Sequence, residues 1–381
     1  KVTETFSLPI IRVRDSLLGL QELARNYRRS LSIPVVGITG SSGKTSTKDL
    51  LRAVFEKQGL VNATHGNLNN HIGLPLSVLN TSGRDEFAVF EMGMSHPGEI
   101  ERLAEIAQPT AGVITCIGTA HLGQMGSQEA IAEEKGMLVE AIRSDGFVVL
   151  PANDPFTPSL RERCQGSVIT AGVEGGDVEA SQLEMDFDEV RFVVKARGEV
   201  VPGKLPTAAE HMVRNAMLAI GVALEWGLSL GDAVASLEEG VLTEGRLQRK
   251  VIRGISFLDD SYNANPESMA AALSTLKSLP ITGRRIAILG KMAELGDHAD
   301  EAHRALGREA AEKGIDIVIG IGEEGALIGQ GAGTAVAAHL FEDHREVATF
   351  LRSEVNEDDV VLLKGSRSAR METVLTCLTS S

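Results

Sequence analysis

Hydrophobic and polar positions alternate in two rhythms along most of this chain. Short apolar runs at Pro34–Thr39, Glu86–Met92, Ala111–Ile117 and Gly146–Leu150 predict buried strands. Between them, Pro97–Ala107 and Ser127–Ile142 carry apolar residues three or four apart and predict helices. Strand then helix, repeated, is the pattern of a parallel sheet with crossover helices. The rhythm breaks at about residues 177–202, where segments such as Val190–Lys195 alternate with period two and predict an antiparallel edge. A long helix (Ala208–Trp226) and a shorter one (Ser229–Glu239) follow. Strand and helix then resume, with strands at Ile252–Asp259, Arg285–Leu289, Asp316–Ile321 and Asp359–Leu363 and helices at Pro266–Ser278 and Ala299–Lys313. This divides the chain into three: residues 1–33, a linker-like lead with a helix near Asp15–Tyr27; residues 34–243; and residues 244–381. The fold class is α/β.

Composition sharpens this picture. Aromatic residues are only 4% of the 381, so aliphatic side chains must fill the cores. The net charge of −15, with no basic stripe, argues against a nucleic-acid partner. Cys116, Cys164 and Cys377 are far apart, which suits neither a disulfide framework nor a zinc site and fits a reducing, cytoplasmic compartment. No apolar run approaches the ~18 residues of a membrane span. Lys1 begins the chain and only about thirty residues precede the first glycine-rich loop, so we expect a further segment upstream.

That loop is the strongest chemical signal. The pattern G-x-x-G-K-T holds from Gly40 to Thr45, after an apolar run and before a helix-like segment (Asp49–Gln58). Gly40, Ser41, Ser42 and Gly43 let backbone N–H groups close on phosphate oxygens, Lys44 supplies a cation, and the hydroxyl of Thr45 or Ser46 can ligate Mg²⁺. The longer G-x-x-x-x-G-K-[ST] form fails at Ile38, and a Gly/Ser turn with a surface lysine is the plain alternative.

Further polar residues gather where predicted strands end. Glu91 closes an apolar strand, as a magnesium ligand or as a mere strand-end carboxylate. His121 lies in the loop after the next strand, and Lys135 lies on the helix beyond it. Asn67, Asn69 and Asn70 crowd the loop Gly66–Pro75, where amides make turns or face a polar substrate. His211 and Asn215 share one helix face. Asp260, Asn263 and Asn265 follow a strand of the last third, and Ser366 and Arg367 follow its final strand, where a Gly-Ser-Arg turn could hold a carboxylate.

Taken in order, the phosphate loop, G-N-L-N-N-x-I-G-x-P, E-M-G-x-x-x-x-G-E-I, A-H-L, E-x-K-G, H-x-x-x-N, G-R-L, D-D-S-Y-N-A-N-P, M-A-E-L-G and K-G-S-R-S resemble the Mur ligases over about residues 12–378. The last three motifs most resemble the member that adds D-alanyl-D-alanine to UDP-N-acetylmuramoyl-tripeptide. The resemblance implies a P-loop central domain, a C-terminal Rossmann-like domain and, in residues 1–33, only the end of an N-terminal UDP-binding domain. It implies ATP and Mg²⁺ as cofactors, held at Lys44 and Thr45. Glu91, His121 and a carbamylated Lys135 would complete the metal site. Asn215 would touch adenine, Arg246 the phosphates, and Asp260 the ribose. Asn67, Asn69, Asn70, Asn263, Asn265, Ser366 and Arg367 would serve the peptide substrates or the closing interface. Lys291 stands where some relatives are expected to carry an acid. We expect a monomer that closes about a hinge near residues 242–245. The alternatives are another amide ligase of the superfamily, of folylpolyglutamate or cyanophycin type, and a nucleotide switch without ligase activity.

Overall fold

The computed structural model describes residues 11–238 and 245–380. Two sheets organise them. The first runs through β1 (Val35–Thr39), β2 (Val61–Ala63), β3 (Phe87–Glu91), β4 (Ala111–Ile114), β5 (Phe147–Pro151), β6 (Ser167–Val173), β7 (Val178–Met185), β8 (Val190–Ala196) and β9 (Glu199–Leu205). Its strand order is β2-β3-β1-β4-β5-β6-β7-β8-β9. Every pair from β2 to β7 is parallel, and β7-β8-β9 form the antiparallel edge. From β1 the chain crosses to β2 and β3 on one side, then to β4 on the other. The loop after β1 therefore opens at the topological switch point, where doubly wound sheets bind ligands.

The second sheet contains β10 (Gln248–Ile252), β11 (Ile255–Asp260), β12 (Arg285–Leu289), β13 (Ile317–Ile321), β14 (Ala337–Phe341) and β15 (Val360–Lys364), in the order β10-β11-β15-β12-β13-β14. Only β10 is antiparallel. Here one expectation is corrected. Ile252–Asp259 is not a single strand: Arg253 (φ 54°) and Gly254 (φ 83°) turn the chain between β10 and β11.

Three further differences shape the site. β4 ends at Ile114 rather than Ile117, because residues 115–118 leave the sheet to wrap the phosphate loop. The helix after that loop starts at Lys44, not Asp49. Gly66–Pro75 is not all loop, since its end opens the helix Gly73–Leu79. The lead helix runs Ser16–Arg29 with Asp15 as its cap, and it is packed and not a free linker. Buried Arg28 donates to the carbonyls of Ala107 (2.8 Å), Leu31 (2.8 Å) and Gln108 (3.2 Å). The expected boundary at 243/244 and most of the expected hinge lie outside the described residues.

Candidate active site

Strand β1 delivers the loop 40–43 to the ligand-side end of the first sheet. Gly40 has φ 151°, and a Cβ there would stand 1.8 Å from Thr115 Oγ1. Gly43 has φ 81° and precedes the helix Lys44–Glu56 with no side-chain cap, so the first helical amides are left for an anion. The loop is braced from the β4 side. Ser41 N donates to Cys116 O (3.0 Å), Gly118 N donates to Ser41 Oγ (2.8 Å), and Thr115 Oγ1 donates to Ser42 O. Lys44 folds back so that its ammonium donates to Gly40 O. Burial lowers its pKa, against the pull of Glu91.

Glu91, at the end of β3, is 1% exposed. Thr45 Oγ1 donates to its Oε2 (3.2 Å), while Oε1 makes no hydrogen bond among the described residues. Lys48 Nζ lies 3.7 Å from Oε1 and is shared with Asp49 Oδ1 (3.1 Å) and Thr64 O (3.2 Å). Burial pushes Glu91 up in pKa, with Lys48 and Lys44 pulling it down. A buried carboxylate oxygen without a hydrogen-bond partner among the described residues, beside a hydroxyl, fits a divalent cation. Lys135 is 1% exposed, and its pKa falls to about 7, through burial first and the charge of Lys44 second. The charge of Glu134 pulls weakly the other way, but its carboxylate accepts from Gly98 N (2.8 Å) and Ile100 N (2.7 Å), and Glu133 pairs with Arg163 (3.1 Å).

The second unit faces this loop. The Arg246 guanidinium lies 4.3 Å over the Tyr262 ring, its Nε is buried without a hydrogen-bond partner among the described residues, and its charge is felt at Lys44, Glu91, Asp260 and Lys364. Asn265 caps the helix Pro266–Ser278 and donates from Nδ2 to Ser41 O (3.1 Å). Glu267 accepts from Thr119, and Glu294 Oε2 lies 2.8 Å from His121 Nδ1. A polar cleft of about 440 Å³ opens beside the phosphate helix, lined by Thr45, Lys48, Thr64, His65 and Tyr262 among others. A larger one, about 1000 Å³, opens at the far end of β1 around Arg28, Pro109 and Trp226 and shares no residue with the phosphate loop. The converging charges, not the volume, mark the site.

Comparison with known proteins agrees with this geometry. The Mur ligase middle domain matches residues 38–223, and the Mur ligase, glutamate ligase domain matches residues 245–367. The chain belongs to the Mur ligase family. It is 35% identical to the UDP-N-acetylmuramoyl-tripeptide–D-alanyl-D-alanine ligase of Bacillus subtilis over 98% of this chain and 81% of that one. The Escherichia coli protein of the same description is 32% identical over 97% and 82%. Among solved structures, MurF from Acinetobacter baumannii superposes with a TM-score of 0.92 at 33% identity, covering 99% of this chain and 84% of that one. MurF ligase from Thermotoga maritima in complex with ADP superposes at 0.88 and 30% identity, covering 98% and 86%.

Within this Mur ligase fold the other candidate residues take distinct places. The structure gathers Lys44, Thr45, Glu91 and Lys135 around the loop and turns Arg246 toward them. It does not gather a full metal cluster: no group of three His, Cys, Asp or Glu is arranged to hold an ion among the described residues, and His121 faces Glu294. Asn215 is buried, with its side chain against Gly43, where a Cβ would meet Oδ1 at 2.7 Å. Asn70 Oδ1 holds the amides of Ile72 (3.1 Å) and Gly73 (2.9 Å), Asn69 O accepts from Gly93 N (2.8 Å), and Asn67 is exposed. Asp260 pairs with Lys364 (2.6 Å). Asn263 is exposed, and its Oδ1 accepts from Ala264 N (2.8 Å). Ser366 is buried, its N–H donating to Lys291 O (2.8 Å), while Arg367 is exposed and paired with Glu372 (2.9 Å).

His211, one turn before Asn215, has a buried Nδ1 without a hydrogen-bond partner among the described residues, and its pKa falls to about 3, mostly by burial and then through Lys364. The unfolded chain therefore takes up a proton below the ordinary 6.5 that the folded chain refuses, so stability falls as pH drops from 6.5 toward 3. His211→Gln is expected to flatten that decline. Urea midpoints at about pH 7 and about pH 5 check this, and an unchanged slope would remove His211 from the account.

Proposed function

We propose that this chain is an ATP-dependent ligase joining D-alanyl-D-alanine to UDP-N-acetylmuramoyl-tripeptide in peptidoglycan precursor synthesis. The observation that carries the reading is the convergence of two units on one phosphate loop. Lys44 lies on one side, and Arg246 from the other unit acts electrostatically on both Lys44 and Glu91. The full-length similarity to ligases of that description supports the substrates.

ATP would transfer its terminal phosphoryl group to the free carboxylate of the tripeptide, giving an acyl phosphate and ADP. The amine of D-alanyl-D-alanine attacks the acyl carbon, and the tetrahedral intermediate loses phosphate and a proton to leave the amide. Lys44 and Arg246 stabilise charge on the moving phosphoryl group. Thr45 and Glu91, with a carbamylated Lys135, would hold Mg²⁺, with His121 as a further candidate ligand. The ion would screen phosphate charge when bound. Carbamylation needs a neutral amine. An ordinary lysine (pKa ~10.4) leaves roughly one amine in 2,500 neutral at pH 7, whereas a pKa of about 7 leaves about half.

Asn215 is assigned to adenine, Asp260 to ribose and Arg246 to phosphate. Asn67, Asn69, Asn70, Asn263, Ser366 and Arg367 remain candidates for the peptide substrates. We place the enzyme in the cytoplasm as a monomer; among the described residues no helix is long and apolar enough to cross a membrane. Phosphate release in the presence of the UDP-tripeptide tests the reading. Adding D-alanyl-D-alanine is expected to raise it about tenfold or more, a change of about 1.4 kcal/mol in the barrier. A nucleotide switch would release phosphate at the same rate with or without the dipeptide.

A further inference from the structure

We propose that Glu267 is a positioning residue, a latch that fastens the second unit to the loop Gly118–His121 and holds the phosphate site closed. The inference rests on the ligase reading for its activity assay only.

Glu267 stands in the first turn of the helix Pro266–Ser278, directly after the capping Asn265 and Pro266. Its Oε1 accepts from both Thr119 N and Thr119 Oγ1, two donors of the other unit. Thr119 follows Gly118, whose amide donates to Ser41 Oγ of the phosphate loop. One helix start therefore reaches that loop twice, through Asn265 to Ser41 O and through Glu267 to the segment bracing Ser41. Gly118 leaves the room that this needs: a Cβ there would lie 2.6 Å from Glu267 Cδ. His121, two residues beyond Thr119, faces Glu294 of the same second unit.

The second oxygen, Oε2, is buried and makes no hydrogen bond among the described residues. All of the latch is carried by Oε1, so an amide with its oxygen in that place preserves both bonds. This gives the test. In the full chain, Glu267→Ala is expected to raise KM for ATP about tenfold, the equilibrium weight of one hydrogen bond to a charged acceptor, with a smaller fall in kcat. The compaction seen by small-angle scattering on adding a nonhydrolysable ATP analogue should shrink in parallel. Glu267→Gln should recover most of the loss in both measurements, because both bonds persist to a neutral acceptor, though weaker than to a charged one. Gly118→Ala, a change on the opposite unit, should reproduce the alanine phenotype by displacing the carboxylate.

Two results would overturn the latch. One is Glu267→Ala with unchanged compaction and unchanged KM. The other is Glu267→Gln as damaging as Glu267→Ala, which would move the role to the negative charge. Compaction is read without any acceptor, so it tests the latch even if the dipeptide assignment fails.

Discussion

Replacing Lys135 by alanine will lower turnover about a hundredfold or more while affinity for a nonhydrolysable ATP analogue stays within severalfold. The Lys44–Gly40 contact and the loop amides that shape the phosphate site do not require the Lys135 side chain. The charge of Lys44 reaches Lys135, whose amine is half neutral near pH 7 mainly because burial costs the cation its hydration. A carboxylate built on that nitrogen would bring the cluster of Thr45 and Glu91 a second anionic arm. Alanine at a site 1% exposed also leaves a void, so Lys135→Met is the better-packed control. Both variants should lose turnover alike, and both should lose the enriched carbonyl signal expected when the parent is equilibrated with ¹³C-bicarbonate. A methionine variant with parental turnover would end the carbamate idea.

The second large effect concerns stability. Lys364 is 2% exposed, and its ammonium donates to Asp260 Oδ2 (2.6 Å) and Asn263 O (2.9 Å). The two residues are direct neighbours on β11 and β15, so sheet register itself brings them together. Burial outweighs their attraction: it raises the Asp260 pKa and lowers that of Lys364. Removing the lysine as Lys364→Met takes the paired cation from a buried carboxylate and leaves it only the more distant charge of Arg246. The expected cost is about 3–5 kcal/mol, read from urea unfolding. Protonating Asp260 relieves it, so the deficit should narrow as pH falls, because a raised folded-state pKa favours the folded form in acid. Asp260→Asn with Lys364→Met should recover much of the loss. A single Lys364→Met variant within about 1 kcal/mol of the parent would show that the pair is solvated in solution.

What could be read beforehand followed the range of its physical cause. Glycine-rich turns and apolar runs act over a few residues, so the phosphate loop, the lead helix near Asp15–Tyr27 and the antiparallel edge after residue 177 were legible. β14 was not, because its side chains are mostly exposed and carry no burial pattern. The turn at Arg253–Gly254 was hidden because apolar residues continue on both sides of it. Site partners far apart in sequence were the least visible. Lys48 looks like any helix lysine until β3 brings Glu91 beside it. Lys364 and Asp260 lie 104 residues apart, and Glu267 and Thr119 lie 148 apart. The Asn-rich loop shows the opposite case: the side chain of Asn70 holds the amides of Ile72 and Gly73, a local turn of the kind that the turn-forming tendency of Asn foretells.

Across the seam Asn265 addresses a main-chain atom, Ser41 O, whereas Glu267 takes the Thr119 hydroxyl as well as Thr119 N and needs the bare Cα of Gly118. Every amino acid offers the carbonyl that Asn265 grips. Position 41 can thus drift in side-chain identity without loosening that grip, while positions 118 and 119 are bound to their partner at 267. Correlated substitution between the two halves should accordingly be scarce at Ser41, and variation at 265 and 267 should be felt in how the halves meet rather than in how either half folds.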